Sequence, residues 1–475
     1  MTPAMVKCNA RKSYTEDGMM RRGRQILAAI ILLAVMCACR ETTAFATEPD
    51  AAEQTEELSE EQKAEQAAYE MKVDSNDWKN WPQGPGTYGE AAIVMEVGTG
   101  AILYAKNIDS HQYPASITKV LTALVAMENG QLEDPVTFSH DSVAFLKPGD
   151  SSVGLKEGNQ ISLEQALHAT LLASANEAAY AVGESVGINA GHDYNWFMEQ
   201  MNIRCRELGG ENSNFANTNG LHDENHYTCA RDMALIGREL FKHPDFFRIV
   251  QTLNYAIPAS ETVEEHIFQQ KHKMLIPENS NYYPYAIGGK TGFTSDALST
   301  LITMADNGGM QLVCVVLRTH GVHIYPDTAG LFEYAFNNFG KVPVADYESS
   351  KDVGEILEDG SCNYVMLPQS VKFEDLDMEL VPDGGISSEA TLQYTYEGNP
   401  VGSARCTLSD SYKDEHSAKV TAAKKEKKPK DDGQKKGKTK KMAVACASVV
   451  LAILITIFIS VIMRRSRIRK RRRRR

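Results

Sequence analysis

Much that would place this chain at a glance is missing from it. There is no G-x-x-x-x-G-K-[ST], so no nucleotide-type phosphate loop is spelled out. There is no H-E-x-x-H, which removes the helical zinc-protease pattern. No repeat of fixed period occurs, which excludes a solenoid or a propeller. Cysteine is sparse, nine in 475 residues. Five of these fall in the body, Cys205, Cys229, Cys314, Cys362 and Cys406, an odd set in a chain too long to need staples. A bridge between Cys362 and Cys406 is the best candidate pair and stays open, because sequence alone does not give pairing. His222 and His226 stand four apart, but Asn219-Gly220 just ahead reads as a turn rather than a helix. No metal and no other cofactor is expected.

Positive charge is scarce in the body and crowded at one end. The formal net charge is −12. Residues 424–475 hold 20 basic and three acidic side chains, a net +17, which leaves −12 − 17 = −29 for the rest. So acidic a body argues against nucleic acid as a partner, whereas the basic end suits anionic lipid head groups. Long apolar runs number two. The first, Ile26 to Cys39, follows Arg21, Arg22 and Arg24 and leads to Ala44-Phe45-Ala46, the layout of a signal peptide over residues 1–46. The second, Met442 to Met463, is uncharged and about as long as a bilayer is thick at ~1.5 Å per residue. These runs predict an exported body, a transmembrane helix over 442–463 and a cytoplasmic basic tail over 464–475. The expected location is the cell membrane, single-pass, with the body on the extracytoplasmic side. An acidic lead-in (47–83) and a Lys-rich linker (413–441) flank the globular part.

Within that part the periodicities change twice. Ala91 to Val97 and Ala101 to Ala105 alternate like strands about Gly98-Thr99-Gly100, a hairpin. From Ser116 the apolar residues Ile117, Val120, Leu121, Leu124 and Val125 follow helical spacing, and Asn129-Gly130 ends the run. Leu163 to Tyr180 reads as helix interrupted near Ser174. Thr300 to Ala305 and Met310 to Leu317 flank Asn307-Gly308-Gly309, a second hairpin. Asp327 or Thr328 is expected to cap a last helix that Gly340 closes. Strands first, helices in the middle and a late hairpin predict an α+β body over 84–344, an antiparallel sheet flanked by helices. Over 345–412, Leu392, Tyr394 and Tyr396 alternate with polar residues, and a small β domain is expected.

Three motifs carry the chemistry. Ser116-Ile117-Thr118-Lys119 is the only S-x-x-K, and Lys290-Thr291-Gly292 the only K-T-G; Ser174-Ala175-Asn176 lies between them. Alone, each reads as a cap or a turn. In this order they are the parts of an active-site serine enzyme that forms an acyl-enzyme. A spacing of three puts Ser116 and Lys119 on one helical face. A lysine serves as base only when neutral, and burial or a neighbouring cation such as Lys290 moves it that way. Ser174 offers a second hydroxyl for proton transfer and Asn176 an amide to hold a peptide group. Lys290 and Thr291 are candidate ligands for a carboxylate, and Gly292 lets a ligand approach the backbone.

Beyond these tripeptides the sequence resembles the low-molecular-mass penicillin-binding proteins, the serine-type D-alanyl-D-alanine carboxypeptidases. The likeness runs through Pro114 to Lys119, Ser174 to Ala179, Asn219-Gly220-Leu221 with His226, Thr228, Ala230 and Asp232, and Lys290 to Thr294. Glu177 stands where the family usually has aspartate. The resemblance implies a serine β-lactamase/transpeptidase-like fold. It implies Ser116 as nucleophile, Lys119 as its base and Ser174 as proton relay. Asn176, Lys290, Thr291, Gly292 and Phe293 would bind substrate, with the backbone N–H groups of Ser116 and Phe293 forming the oxyanion hole. The implied substrates are peptidoglycan peptides ending in D-Ala-D-Ala, and the implied inhibitors are β-lactams. Two departures stand out: Ala297-Leu298 replaces the family's Ala-Gly, and a carboxylate-binding arginine near the last helix is not evident, with Arg318 the nearest substitute. Other outcomes on the same scaffold are an endopeptidase, a β-lactamase (no E-x-x-L-N follows the second motif) or a weakly active wall scaffold.

Overall fold

The computed structural model describes residues 58–416, apart from 361, 385 and 386. The expected signal peptide, the spanning segment, the basic tail and nearly all of the Lys-rich linker lie outside the described residues. Among the described residues no helix is long and apolar enough to cross a membrane. The chain separates into residues 1–63 and 64–475, and the architecture below belongs to the second unit.

Its main sheet begins with a hairpin, β1 (Ala91–Glu96) and β2 (Ile102–Lys106). Besides a short helical turn at His140–Ala144, six longer helices follow: α1 (Lys119–Asn129), α2 (Leu163–Leu171), α3 (Asn176–Asn189), α4 (Tyr194–Glu207), α5 (Ala230–Leu240) and α6 (Pro244–Val250). The chain then returns to strand in β3 (Ala286–Thr294), β4 (Leu298–Asp306) and β5 (Gln311–Thr319), and α7 (Ile324–Asn338) comes next. The strands form one antiparallel sheet in the order β2-β1-β5-β4-β3. The late hairpin therefore docks onto the early one, with the helices between them in sequence packed across a face.

The central strand β5 is apolar on both sides because both faces are covered. Val313, Val315 and Leu317 join the core shared with α1 to α6, whereas Leu312, Cys314 and Val316 face a second core with Leu331, Phe332 and Ala335 of α7. That second core continues into another antiparallel sheet made of β6 (Phe339–Pro343), β7 (Val353–Ile356), β8 (Tyr364–Pro368), β9 (Asp377–Pro382), β10 (Glu389–Tyr396) and β11 (Asn399–Leu408). Its order is β6-β8-β11-β10-β9, with β7 paired to β11. In β10 the residues Ala390, Leu392, Tyr394 and Tyr396 are buried in alternation, as a one-sided strand requires.

Three expectations are corrected. The last helix starts at Ile324, ahead of Asp327 and Thr328, because Asp327 is drawn inward to accept from the Gly89 N–H at 3.0 Å and Thr328 donates to the Ile324 carbonyl at 2.8 Å. Gly340 does not close that helix; it lies in β6, which follows at once. No bridge joins Cys362 to Cys406: both thiols are free, Cys406 inside the second core and Cys362 exposed.

Candidate active site

Ser116 sits in a single 3-10 turn, Ala115–Thr118, that runs into α1. The residue before it, Ala115, has φ 50°, a left-handed conformation that an L-residue holds only under constraint. The constraints are visible. Thr118 Oγ1 donates to the Ala115 carbonyl at 2.9 Å, and Thr300 Oγ1 donates to the Pro114 carbonyl at 2.7 Å. Behind Thr118 stands His226, its Nε2 2.8 Å from Thr118 Oγ1 and its Nδ1 accepting from the Ala216 N–H at 2.9 Å. Burial lowers this imidazole to about 4, so it stays neutral and both nitrogens are spent on loop structure. His222 instead lies 3.7 Å from the Asp296 carboxylate. Two glycines press on the same turn. A Cβ at Gly220 would run into the Ala115 carbonyl, and one at Gly292 would stand 2.9 Å from the Ser116 amide nitrogen.

One turn beyond Ser116, Lys119 is wholly buried. Its Nζ donates to Ser116 Oγ at 2.9 Å, Asn176 Oδ1 at 2.8 Å and the Asn219 carbonyl at 2.5 Å. Burial pushes its ammonium well below the usual lysine range, and the charge of Lys290 pushes it further. Lys290 is buried too and donates to the Thr291 carbonyl at 2.8 Å. Burial first, then the charge of Lys271, lowers it to about 7. Ser174 turns the chain between α2 and α3 at φ 64° and is almost fully enclosed. Asn176 opens α3.

A cavity of about 540 Å³ gathers these elements. Ser116, Ser174, Asn176, Thr291, Gly292 and Phe293 all line it. Lys119 and Lys290 are not at its surface; they are enclosed behind it. β3 is the edge strand of its sheet, so a main chain laid along the cavity can pair with it.

A profile of the S11 peptidases, described as D-alanyl-D-alanine carboxypeptidase, matches residues 80–321, more than half of the sequence. The chain belongs to this family. The D-alanyl-D-alanine carboxypeptidase DacF of Bacillus subtilis is 28% identical over 292 residues, covering 59% of this chain and 70% of that protein. DacA of Escherichia coli, with the same activity in its name, is 31% identical over 245 residues, covering 50% and 57%. The crystal structure of the Streptomyces K15 DD-transpeptidase superposes with a TM-score of 0.50 at 26% identity, covering 54% of this chain and 100% of that one. The fold is thus the mixed α/β transpeptidase-like fold of the penicillin-binding proteins.

The two departures from the family pattern now have positions. Leu298 has φ 53°, a value glycine adopts freely and leucine only at a cost of ~1 kcal/mol or more. Arg318 is engaged elsewhere: it donates to Glu90 Oε1 at 2.9 Å and to the Asp296 carbonyl at 2.6 Å, and it does not line the cavity. The cations at the cavity surface are Lys271 and Lys273. Sequence reasoning passed over both, together with Asp150 on the same surface and the Asn219 carbonyl that meets Lys119. Only Asn219 carried a signal, in the family-like Asn219-Gly220-Leu221. A cluster elsewhere, Glu128, Glu239 and His243, brings metal-type ligand atoms together. Arg204 already occupies it, with Nη2 2.8 Å from Glu128 and 2.7 Å from Glu239.

Proposed function

We propose that this chain is a serine DD-carboxypeptidase that removes the terminal D-alanine from peptidoglycan stem peptides, and that penicillins acylate the same serine. The observation that carries this reading is the buried amine of Lys119, 2.9 Å from Ser116 Oγ and 2.8 Å from Asn176 Oδ1, in a family whose members bear that activity in their names.

In this reading neutral Lys119 takes the proton of Ser116 as Oγ bonds to the penultimate carbonyl carbon. The backbone N–H groups of Ser116 and Phe293 receive the oxyanion. The C–N bond to the last D-alanine breaks, Ser174 passes a proton to the leaving amine, and water later releases the acyl group. Asn176 holds the peptide group upstream. Thr291 binds the terminal carboxylate at the surface with Lys271 and Lys273, while Lys290 adds its charge from behind. The body is read as exported and held to the membrane by residues 442–463, with the basic tail against lipid head groups in the cytoplasm.

The test is to incubate the full chain with a fluorescent penicillin and with a D-Ala-D-Ala peptide, beside a Ser116→Ala control. Labelling and D-alanine release that both vanish in the control support the reading. Labelling without release would replace it with the scaffold reading, and no labelling at all would end it.

A further inference from the structure

Three charged side chains face the cavity, Lys271, Lys273 and Asp150. None is ion-paired with another among the described residues. Lys273 reaches only the ring of Tyr325, its Nζ 5.7 Å from the centroid. Charges held on a cavity wall without an ion-pair partner are available to a ligand of opposite sign. The two lysines answer to the peptide's terminal carboxylate. Asp150 answers to nothing in D-Ala-D-Ala.

Its place is built, not incidental. The Lys147 N–H donates to Asp150 Oδ2 at 2.8 Å, and the Asp150 N–H donates back to the Lys147 carbonyl at 3.0 Å. The next residue, Ser151, accepts from the Asn176 N–H at 2.8 Å. The loop beyond it is pinned by Glu177, a fully buried carboxylate whose Oε1 accepts from Ser152 Oγ at 2.7 Å, the Val153 N–H at 2.8 Å and the Gly154 N–H at 3.1 Å. Asp150 is therefore fixed beside Asn176, the residue that holds the peptide upstream of the scissile bond. A terminal carboxylate would be repelled there, so the upstream part of the substrate passes this wall.

We infer that Asp150 selects peptides that carry an ammonium group on the side chain just before D-Ala-D-Ala. This rests on the carboxypeptidase reading above. The residue is a specificity determinant, separate from the groups that make and break bonds.

The test compares two peptides on the full chain in detergent: Nα-acetyl-L-lysyl-D-alanyl-D-alanine and its Nα,Nε-diacetyl form. The free ammonium is expected to raise kcat/KM about fivefold, the effect of a partly exposed ion pair. That ratio falls toward one in Asp150→Asn and, in the unaltered chain, on addition of salt. A ratio of one in the unaltered chain, or a ratio that Asp150→Asn leaves in place, overturns the inference. Fluorescent penicillin reports whether Asp150→Asn is folded; if it is not, the salt series decides, and a ratio indifferent to salt overturns the inference. Release of D-alanine from neither peptide overturns the carboxypeptidase reading itself.

Discussion

Gly220→Ala is the sharpest probe of how the nucleophile is held. Gly220 has φ 83°, which alone costs an L-residue about 1–2 kcal/mol. The added Cβ also falls far inside the 3.0 Å that such atoms keep from the Ala115 carbonyl, and 2.9 Å from the Ser116 amide nitrogen. Relief requires the Ala115–Ser116 turn to move by about 1 Å, and a displacement of that size costs on the order of a hundredfold in rate. Gly308→Ala supplies the control. Its φ is 84°, but nothing lies within 4 Å of the new Cβ. Both variants should lose thermal stability through φ. Only Gly220→Ala should slow labelling by fluorescent penicillin, about a hundredfold, measured as a second-order rate constant. If it labels within threefold of the parent, or if Gly308→Ala slows labelling equally, the account of the turn is wrong.

Further expectations follow from buried charge and free thiols. Lys290→Gln removes the cation that depresses Lys119, so the acid limb of the acylation pH profile should move to higher pH; an unmoved or lowered limb would contradict the coupling. Lys106 is fully buried, donates to the Ala68 and Thr87 carbonyls at 2.7 Å each, and is lowered by burial to about 8 from 10.5. The unfolded chain then binds this proton more tightly than the folded one, so stability should rise with pH between about 8 and 10.5. Urea melts across that range should show the rise in the parent and not in Lys106→Met, which should also lose about 2–4 kcal/mol by stranding the two carbonyls. Native maleimide labelling with peptide mapping should modify Cys362 before Cys205, Cys229, Cys314 and Cys406, which are buried; a bridged Cys362 would resist modification until reduced.

What was legible in the sequence is what local chemistry encodes. The two hairpins, the helix after Ser116 and the break at Ser174 follow from periodicity and turn residues, and the three motifs announced a shared site. The remainder depends on contacts between segments distant in sequence. Lys271 and Lys273 reach the cavity because the chain from α6 loops back before β3, and no pattern within Lys271-His272-Lys273 says so. Asp327 looks like a helix cap until Gly89, over two hundred residues earlier, supplies the donor that draws it inward. The pairing of Cys362 with Cys406 failed for a related reason: being near in a small sheet does not bring one thiol out of a core or the other into it. The strained Ala115 is invisible in sequence, since alanine ordinarily prefers helix there.

The three contacts of Lys119 fix more than its position. A protonated amine has three hydrogens, and three oxygens stand ready for them. Remove one proton and a lone pair must face one of those oxygens. The Asn219 carbonyl and Asn176 Oδ1 have no hydrogen to offer in return, but the Ser116 hydroxyl does and can rotate. Deprotonation therefore reverses one hydrogen bond and moves no heavy atom, so the resting enzyme already has the geometry in which the serine's hydrogen points at its acceptor.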